Sequence, residues 1–267
     1  MSVTTNDIAR ICGVSRTTVY RALTNSGRIN EKTKQKILKV ADELEYRQNP
    51  LATGLKSGKT GYIGVVVFDI RNRYFAQMLN AIEIEAKKQD YFINITLHEK
   101  NKELEKELIL SLIDYRVEGL ILSPVSKSKA FNDFIINTNK PTVIIGNRVG
   151  KDIPFVGIDE KNAARDAVKL IAKKEYEQIV FVCPPLADVE QENVYSHEQR
   201  KQGFLEETKN HSDIHSSIVS SWDYLKEVEE ILKNTSLKTA FFCSGDIFAL
   251  EIMKHFKQLG KRAKQDY

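Results

Sequence analysis

From Tyr62 onward the chain alternates short apolar runs with stretches whose apolar residues recur at helical spacing. YIGVVVF reads as a buried strand and 74–89 as a helix; YFINITL, a helix over 102–115, EGLILSP, a helix over 127–138 and PTVIIG continue the series. A second series starts near Asp159, with helix 162–174, strand QIVFV, helix 197–209, strand HSSIVS, helix 223–233, strand KTAFF and helix 247–259. Strands that alternate with amphipathic helices build βαβ units and a parallel, doubly wound sheet. Two such series predict two α/β lobes, over 61–158 and 159–267, with small ligands bound at the strand ends between them.

The first sixty residues read differently. Thr4 or Thr5 can cap a short helix with Asp7 in its first turn and Ile8 and Ile11 as its apolar positions. Gly13 stops that helix, and Ser15 can cap a second, RTTVYRAL. Ala9, Gly13 and Val19 keep the spacing of a helix-turn-helix: a small residue where the helices approach, a glycine in the turn, a β-branched plug. A third helix over 30–46 places Ile37, Val40, Ala41 and Leu44 on one face. These residues predict a three-helix head over 1–46, followed by a Gly/Ser/Lys-containing linker over 47–60, the stretch the resemblance below makes a hinge.

Charge separates the same regions. The first 60 residues hold 11 Lys and Arg against 5 acids, a net +6, whereas the remaining 207 carry 29 against 31, a net −2. A basic head on a near-neutral body is the pattern of a nucleic-acid-binding module joined to a body of other function. With 267 residues, 42% of them hydrophobic and 28% charged, the chain is globular and too long for one ordinary domain. The three cysteines, Cys12, Cys183 and Cys243, are too few and too widely spaced for a disulfide framework or thiolate zinc site. No apolar run reaches the length of a membrane span and the start is polar, so the reading is cytoplasmic with no membrane partner.

The exposed face of the second helix carries Arg16, Thr17, Tyr20 and Arg21. Early residues of a recognition helix reach base edges in the major groove, where Arg pairs with guanine and Thr touches a thymine methyl. The stretch NDIARICGVSRTTVYRALTNSGRINEKTKQKILKVADELEY, followed by NPLATGLKSGKTGYIGVVV, resembles the head, hinge and first strand of the lactose-repressor (LacI/GalR) family of bacterial transcription regulators. The resemblance implies base contacts from Arg16, Thr17 and Arg21, and phosphate contacts from Thr5, Ser15, Thr18 and Asn25. It also implies a hinge helix that enters the minor groove, begun by Asn49 and Pro50, with Asn49, Ala52 and Leu55 on the DNA and Leu55 wedged between base steps. Thr53 and Gly54 make that helix costlier to form than the family's usual residues, a Gly costing roughly 1 kcal/mol against Ala.

For the body, the resemblance implies a periplasmic-binding-protein-like domain with a small-molecule effector, commonly a sugar. The effector contacts it implies are Asp69, Phe75, Ser123, Asp159, Ser196, Arg200, Trp222 and Asp246, Arg200 offering a planar fork for hydroxyls or a carboxylate. Each has a plain structural alternative: Asp246 as a helix cap, Ser123 as a strand end, Trp222 as core filler. Nothing calls for a cofactor or metal; His211 and His215 have metal-like spacing but no ligand company in the sequence, and His98, His197 and His255 read as surface residues. There is no phosphate loop or nucleophile elbow, so the chain does not read as an enzyme.

The family's further C-terminal strands have no counterpart after Leu259, and the second lobe is therefore expected to be incomplete, on the order of 60 residues short. Two functions follow. The first is a repressor that binds a palindromic operator in double-stranded DNA as a homodimer and responds to an effector. The alternative is a cytosolic small-molecule-binding or interaction protein whose DNA control is impaired by truncation.

Overall fold

A computed structural model of the chain describes residues 3–47, 59–186, 192–263 and 267. It divides into two compact units, Met1–Thr60 and Gly61–Tyr267. The hinge residues Asn49, Ala52 and Leu55 lie outside the described residues.

The head packs α1 (Thr5–Cys12), α2 (Arg16–Leu23) and α3 (Glu31–Glu43) around one small core. Thr4 caps α1: its hydroxyl oxygen accepts the Asp7 N–H while the Asp7 carboxylate accepts the Thr4 N–H, satisfying donors that the first turn leaves orphaned. Gly13, at φ 68°, ends α1 in the left-handed conformation a residue with a Cβ resists. Ser15 caps α2 and Asn30 caps α3. Ile8, Cys12, Val19, Ala22, Ile37 and Ala41 fill the centre.

The body carries β1 (Tyr62–Val67), α4 (Arg73–Lys88), β2 (Phe92–Leu97), α5 (Lys102–Asp114), β3 (Gly119–Leu122), α6 (Lys129–Asn137), β4 (Thr142–Ile145) and β5 (Phe155–Val156) in its first lobe. The second lobe holds α7 (Glu160–Ala172), β6 (Gln178–Cys183), α8 (Tyr195–Thr208), β7 (His215–Ser220), α9 (Tyr224–Lys233), β8 (Thr239–Cys243) and α10 (Asp246–Gln258). Every strand pairing is parallel, in the orders β2-β1-β3-β4-β5 and β7-β6-β8. Successive strands add to the right and left of β1, so the crossovers leave that strand in opposite directions and open a crevice between the carboxyl ends of β1 and β3.

Strand β6 shows why the sheet is buried on both sides. Ile179, Phe181 and Cys183 face a cluster with Val168 and Phe204, while Val180 and Val182 face Val219, Val228 and Phe256. Successive side chains point to opposite faces, so a strand between two helix layers has to be apolar along its buried length, which is the run IVFVC after the half-buried Gln178. The sequence misses only β5, whose two residues are too few to show a pattern.

Helices α7 and α8 approach closely at Gly203, where an added Cβ would lie 2.2 Å from the Lys161 carbonyl oxygen and 3.0 Å from Ala164 Cβ. Gly203→Ala is expected to destabilise the body by about 1–3 kcal/mol by forcing the helices apart. Gly245→Ala, whose Cβ meets nothing nearer than 3.6 Å, serves as the neutral control in denaturant unfolding of the full chain. Equal midpoints for the two variants would contradict this packing.

Candidate functional site

In the head, Arg16, Thr17 and Arg21 are exposed on α2. Arg21 lies along Gly27, with its Cδ and Nε 3.5 Å from where a Gly27 Cβ would be, so the turn after α2 steers this side chain. Ser15 and Thr18 are bonded to each other, Oγ to Oγ1 at 2.9 Å, and Ser15 Oγ accepts the Thr18 N–H at 3.2 Å. Thr5 is the first residue of α1, at the positive end of its dipole. Asn25 has φ 51° and its Oδ1 accepts a hydrogen bond from Lys34 Nζ at 2.7 Å.

In the body, the carboxyl ends of the strands bring the expected effector residues to one edge of each lobe. Asp69 follows β1, where Arg71 N–H and Nε donate to its carboxylate at 2.6 and 3.2 Å; these bonds hold its pKa below the usual carboxylate value. Phe75 packs edge-on against Phe68, centroids 4.9 Å apart. Ser123 is buried at the end of β3, where its carbonyl meets His98 Nε2 at 3.0 Å. His98 is 1% exposed, which corrects its reading as a surface residue. Its Nδ1 accepts the Lys100 N–H at 3.1 Å, so Nε2 carries the proton that goes to Ser123. Beside it Glu105 is also buried, which raises its pKa, while hydrogen bonds from Ser126 and Val125 oppose that shift.

In the second lobe Asp159 caps α7, accepting from Asn162 N–H at 3.1 Å and Nδ2 at 2.7 Å. The Arg200 fork is occupied within its own lobe: Nε and Nη2 donate to the two Glu160 oxygens at 2.7 and 2.9 Å, and Nη1 donates to the Ser244 carbonyl. A cavity of about 390 Å³ has Glu160, Arg200, Ser244, Gly245 and Asp246 in its wall. Asp246 is exposed and its carboxylate accepts the Ile247 N–H at 2.9 Å. Trp222, in the loop after β7, is 70% exposed, which rules out core filler and leaves its indole open.

Most of the residues that join the lobes escaped the sequence reading. Asn193, 3% exposed, donates its N–H to the Val125 carbonyl at 2.7 Å, and its Nδ2 donates to the Ser126 and Arg148 carbonyls at 3.3 and 3.2 Å. Asn147 Nδ2 donates to the Asn193 carbonyl at 2.8 Å, and Asn147 Oδ1 accepts the Ser196 N–H at 3.3 Å. Lys127 and Lys100 pair with Glu198 and Glu192, both at 2.7 Å. Among the described residues, Ser196 is the expected effector residue that takes part in this junction, through its N–H to Asn147; Asn147 stands just past a strand end, the one signal that pointed to it.

Residues 4–49 match the family described as bacterial regulatory proteins, lacI family, and residues 63–266 match a periplasmic binding protein domain. The chain belongs to the LacI family of bacterial regulatory proteins. Its members are DNA-binding regulators and not enzymes. Among curated relatives, catabolite control protein A of Priestia megaterium is 28% identical over 273 residues, covering 100% of this chain and 81% of the relative. The lac repressor dimer bound to operator and the anti-inducer ONPF superposes with a TM-score of 0.83 at 23% identity, over 100% of this chain and 81% of that one. A transcriptional regulator CelR–cellobiose complex gives 0.62 at 18% identity, over 99% and 80%.

In this LacI-family chain His197, on α8, has a displaced titration. His197 Nδ1 lies 3.0 Å from Ser244 Oγ, and its pKa is lowered to about 4 by burial and then by the positive charges of Arg200 and Lys100. A histidine whose folded pKa lies below its unfolded value stabilises the fold above about pH 6.5, and that contribution is lost as pH falls toward 4. The His197 ring resonances in NMR are therefore expected to stay constant from pH 8 to about 5.5 and to move only near 4. A midpoint near 6.5 would contradict the burial of this ring.

Proposed function

We propose that the protein is a transcriptional repressor that binds a palindromic operator in double-stranded DNA as a homodimer and changes its operator affinity when a sugar fills the cleft. The observation that carries this reading is one chain with a basic helix-turn-helix head, exposing Arg16, Thr17 and Arg21, and a two-lobed body whose strand ends converge on a polar cleft. The operator and dimer in the lac repressor structure and the cellobiose in the CelR structure support the partners. Work on DNA places the protein in the bacterial cytoplasm, at the nucleoid when bound.

Arg16, Thr17 and Arg21 read base edges; Thr5, Ser15, Thr18 and Asn25 hold phosphates, together with Asn49, Ala52 and Leu55 of the hinge. In the body, Asp69, Phe75, Ser123, Asp159, Ser196, Arg200, Trp222 and Asp246 form the effector site. A sugar there offers hydroxyls to carboxylates and Arg200, and an apolar ring face to the exposed Trp222. A ligand that prefers one arrangement of the lobes shifts the population of that arrangement and, through the hinges of a dimer, the spacing of the heads.

The test is binding of the full chain to a palindromic duplex selected from a random pool, across a salt series. Log affinity is expected to fall linearly with log salt, because phosphate neutralisation releases counterions. Arg16→Ala is expected to cost about 1–3 kcal/mol on the selected duplex and much less on random duplex. Equal affinity for selected and random DNA would overturn the reading.

A further inference from the structure

The bonds between the lobes converge on a short segment after β3, and one buried carboxylate holds that segment from behind. Glu105, on α5 and 1% exposed, accepts the Val125 N–H on Oε1 at 3.0 Å and the Ser126 N–H on Oε2 at 3.1 Å. Two accepting oxygens are the pattern of the ionised form. His98 fixes the other end of the segment through the Ser123 carbonyl.

The peptide unit joining Val125 to Ser126 therefore has a partner at each end. Its N–H donates to Glu105, and its carbonyl oxygen, belonging to Val125, accepts the Asn193 N–H from the second lobe at 2.7 Å. A charged acceptor on the N–H polarises the peptide and makes its carbonyl a stronger acceptor, most of all where water is excluded. The next carbonyl, of Ser126, accepts Asn193 Nδ2 at 3.3 Å.

We propose that Glu105 is the positioning residue of a latch between the lobes: its two oxygens hold the peptide joining Val125 to Ser126 so that the carbonyl meets Asn193. Among the described residues its hydrogen bonds all lie within the first lobe, so it acts across the cleft only through the backbone it fixes. Gln at this position keeps the shape but replaces one acceptor by an amide donor, which faces a backbone N–H. The loop then loses one of its two anchors and the Val125 carbonyl its fixed direction. For function this deepens the reading of the cleft as the effector site, since the latch sets how much of the protein is closed before a ligand arrives.

The experiment is hydrogen exchange on the full chain without any ligand, comparing wild type, Glu105→Gln and Asn193→Ala. In Glu105→Gln the Asn193 amide is expected to exchange about tenfold faster or more, together with the Ser126 amide, while amides 179–182 of β6 keep their protection. In Asn193→Ala the Val125 and Ser126 amides are expected to stay protected, because Glu105 holds them from inside. An unchanged Asn193 amide in Glu105→Gln overturns the proposal, as does loss of Val125 and Ser126 protection in Asn193→Ala. If Glu105→Gln loses protection throughout β6, Glu105→Asp carries the test on the same two criteria, since it keeps the charge and shortens the reach. Because no ligand is present, failure of the latch is read at Asn193, whereas failure of the effector reading is read only in ligand binding.

Discussion

Among the described residues all strands of the body run parallel within their sheets, and that single direction sets where its polar loops collect. A parallel strand is followed by a crossover, so every loop at the carboxyl edge is released from the crossing helix and free to carry polar groups. Asp69, Ser123 and Asn147 stand at that edge in the first lobe, and Trp222, Ser244 and Asp246 in the second. Two such edges facing one another make a polar seam between apolar cores. Buried polar groups there have to find partners, and Asn193 and Asn147 supply them to each other and to the opposite backbone.

The sequence shows the architecture because burial leaves a period. In β6 the two faces carry separate apolar clusters, and the run IVFVC is apolar; in the helices the caps Thr4, Ser15 and Asp159 are the residue types that cap geometry demands. The cleft was legible only in part. Ser123 and Arg200 were named as effector contacts through the family resemblance, but an isolated Asn carries no periodic signal, and Asn193 gives no sign that a carbonyl 68 residues earlier awaits its N–H. His98 looked like a surface residue for the same reason: its two partners are backbone groups, which sequence does not display. Arg200 was expected to present its guanidinium to a ligand, and Glu160 and Ser244 already engage it, which prepays the ordering of a long side chain.

The head obeys a simpler rule. A core of seven buried residues is too small to hide charge, so the exposed Arg16 and Arg21 lie on the surface of the head, where a basic excess favours a polyanionic partner. Arg16 and Thr17 open the second helix from a turn fixed by the left-handed Gly13 and the Ser15 cap, so the residues proposed to read bases start from a defined backbone. Head and body thus divide the charge as they divide the labour.

The central claim is that DNA at the head and ligand in the body are coupled through one chain. The most direct measurement takes a sugar chosen because it raises the melting temperature of the body, and compares operator affinity with and without it, then sugar affinity with and without operator. The account predicts that each ligand changes the other's affinity by the same factor, within about 5- to 150-fold. Independent binding, with a factor of one in both directions, would contradict it.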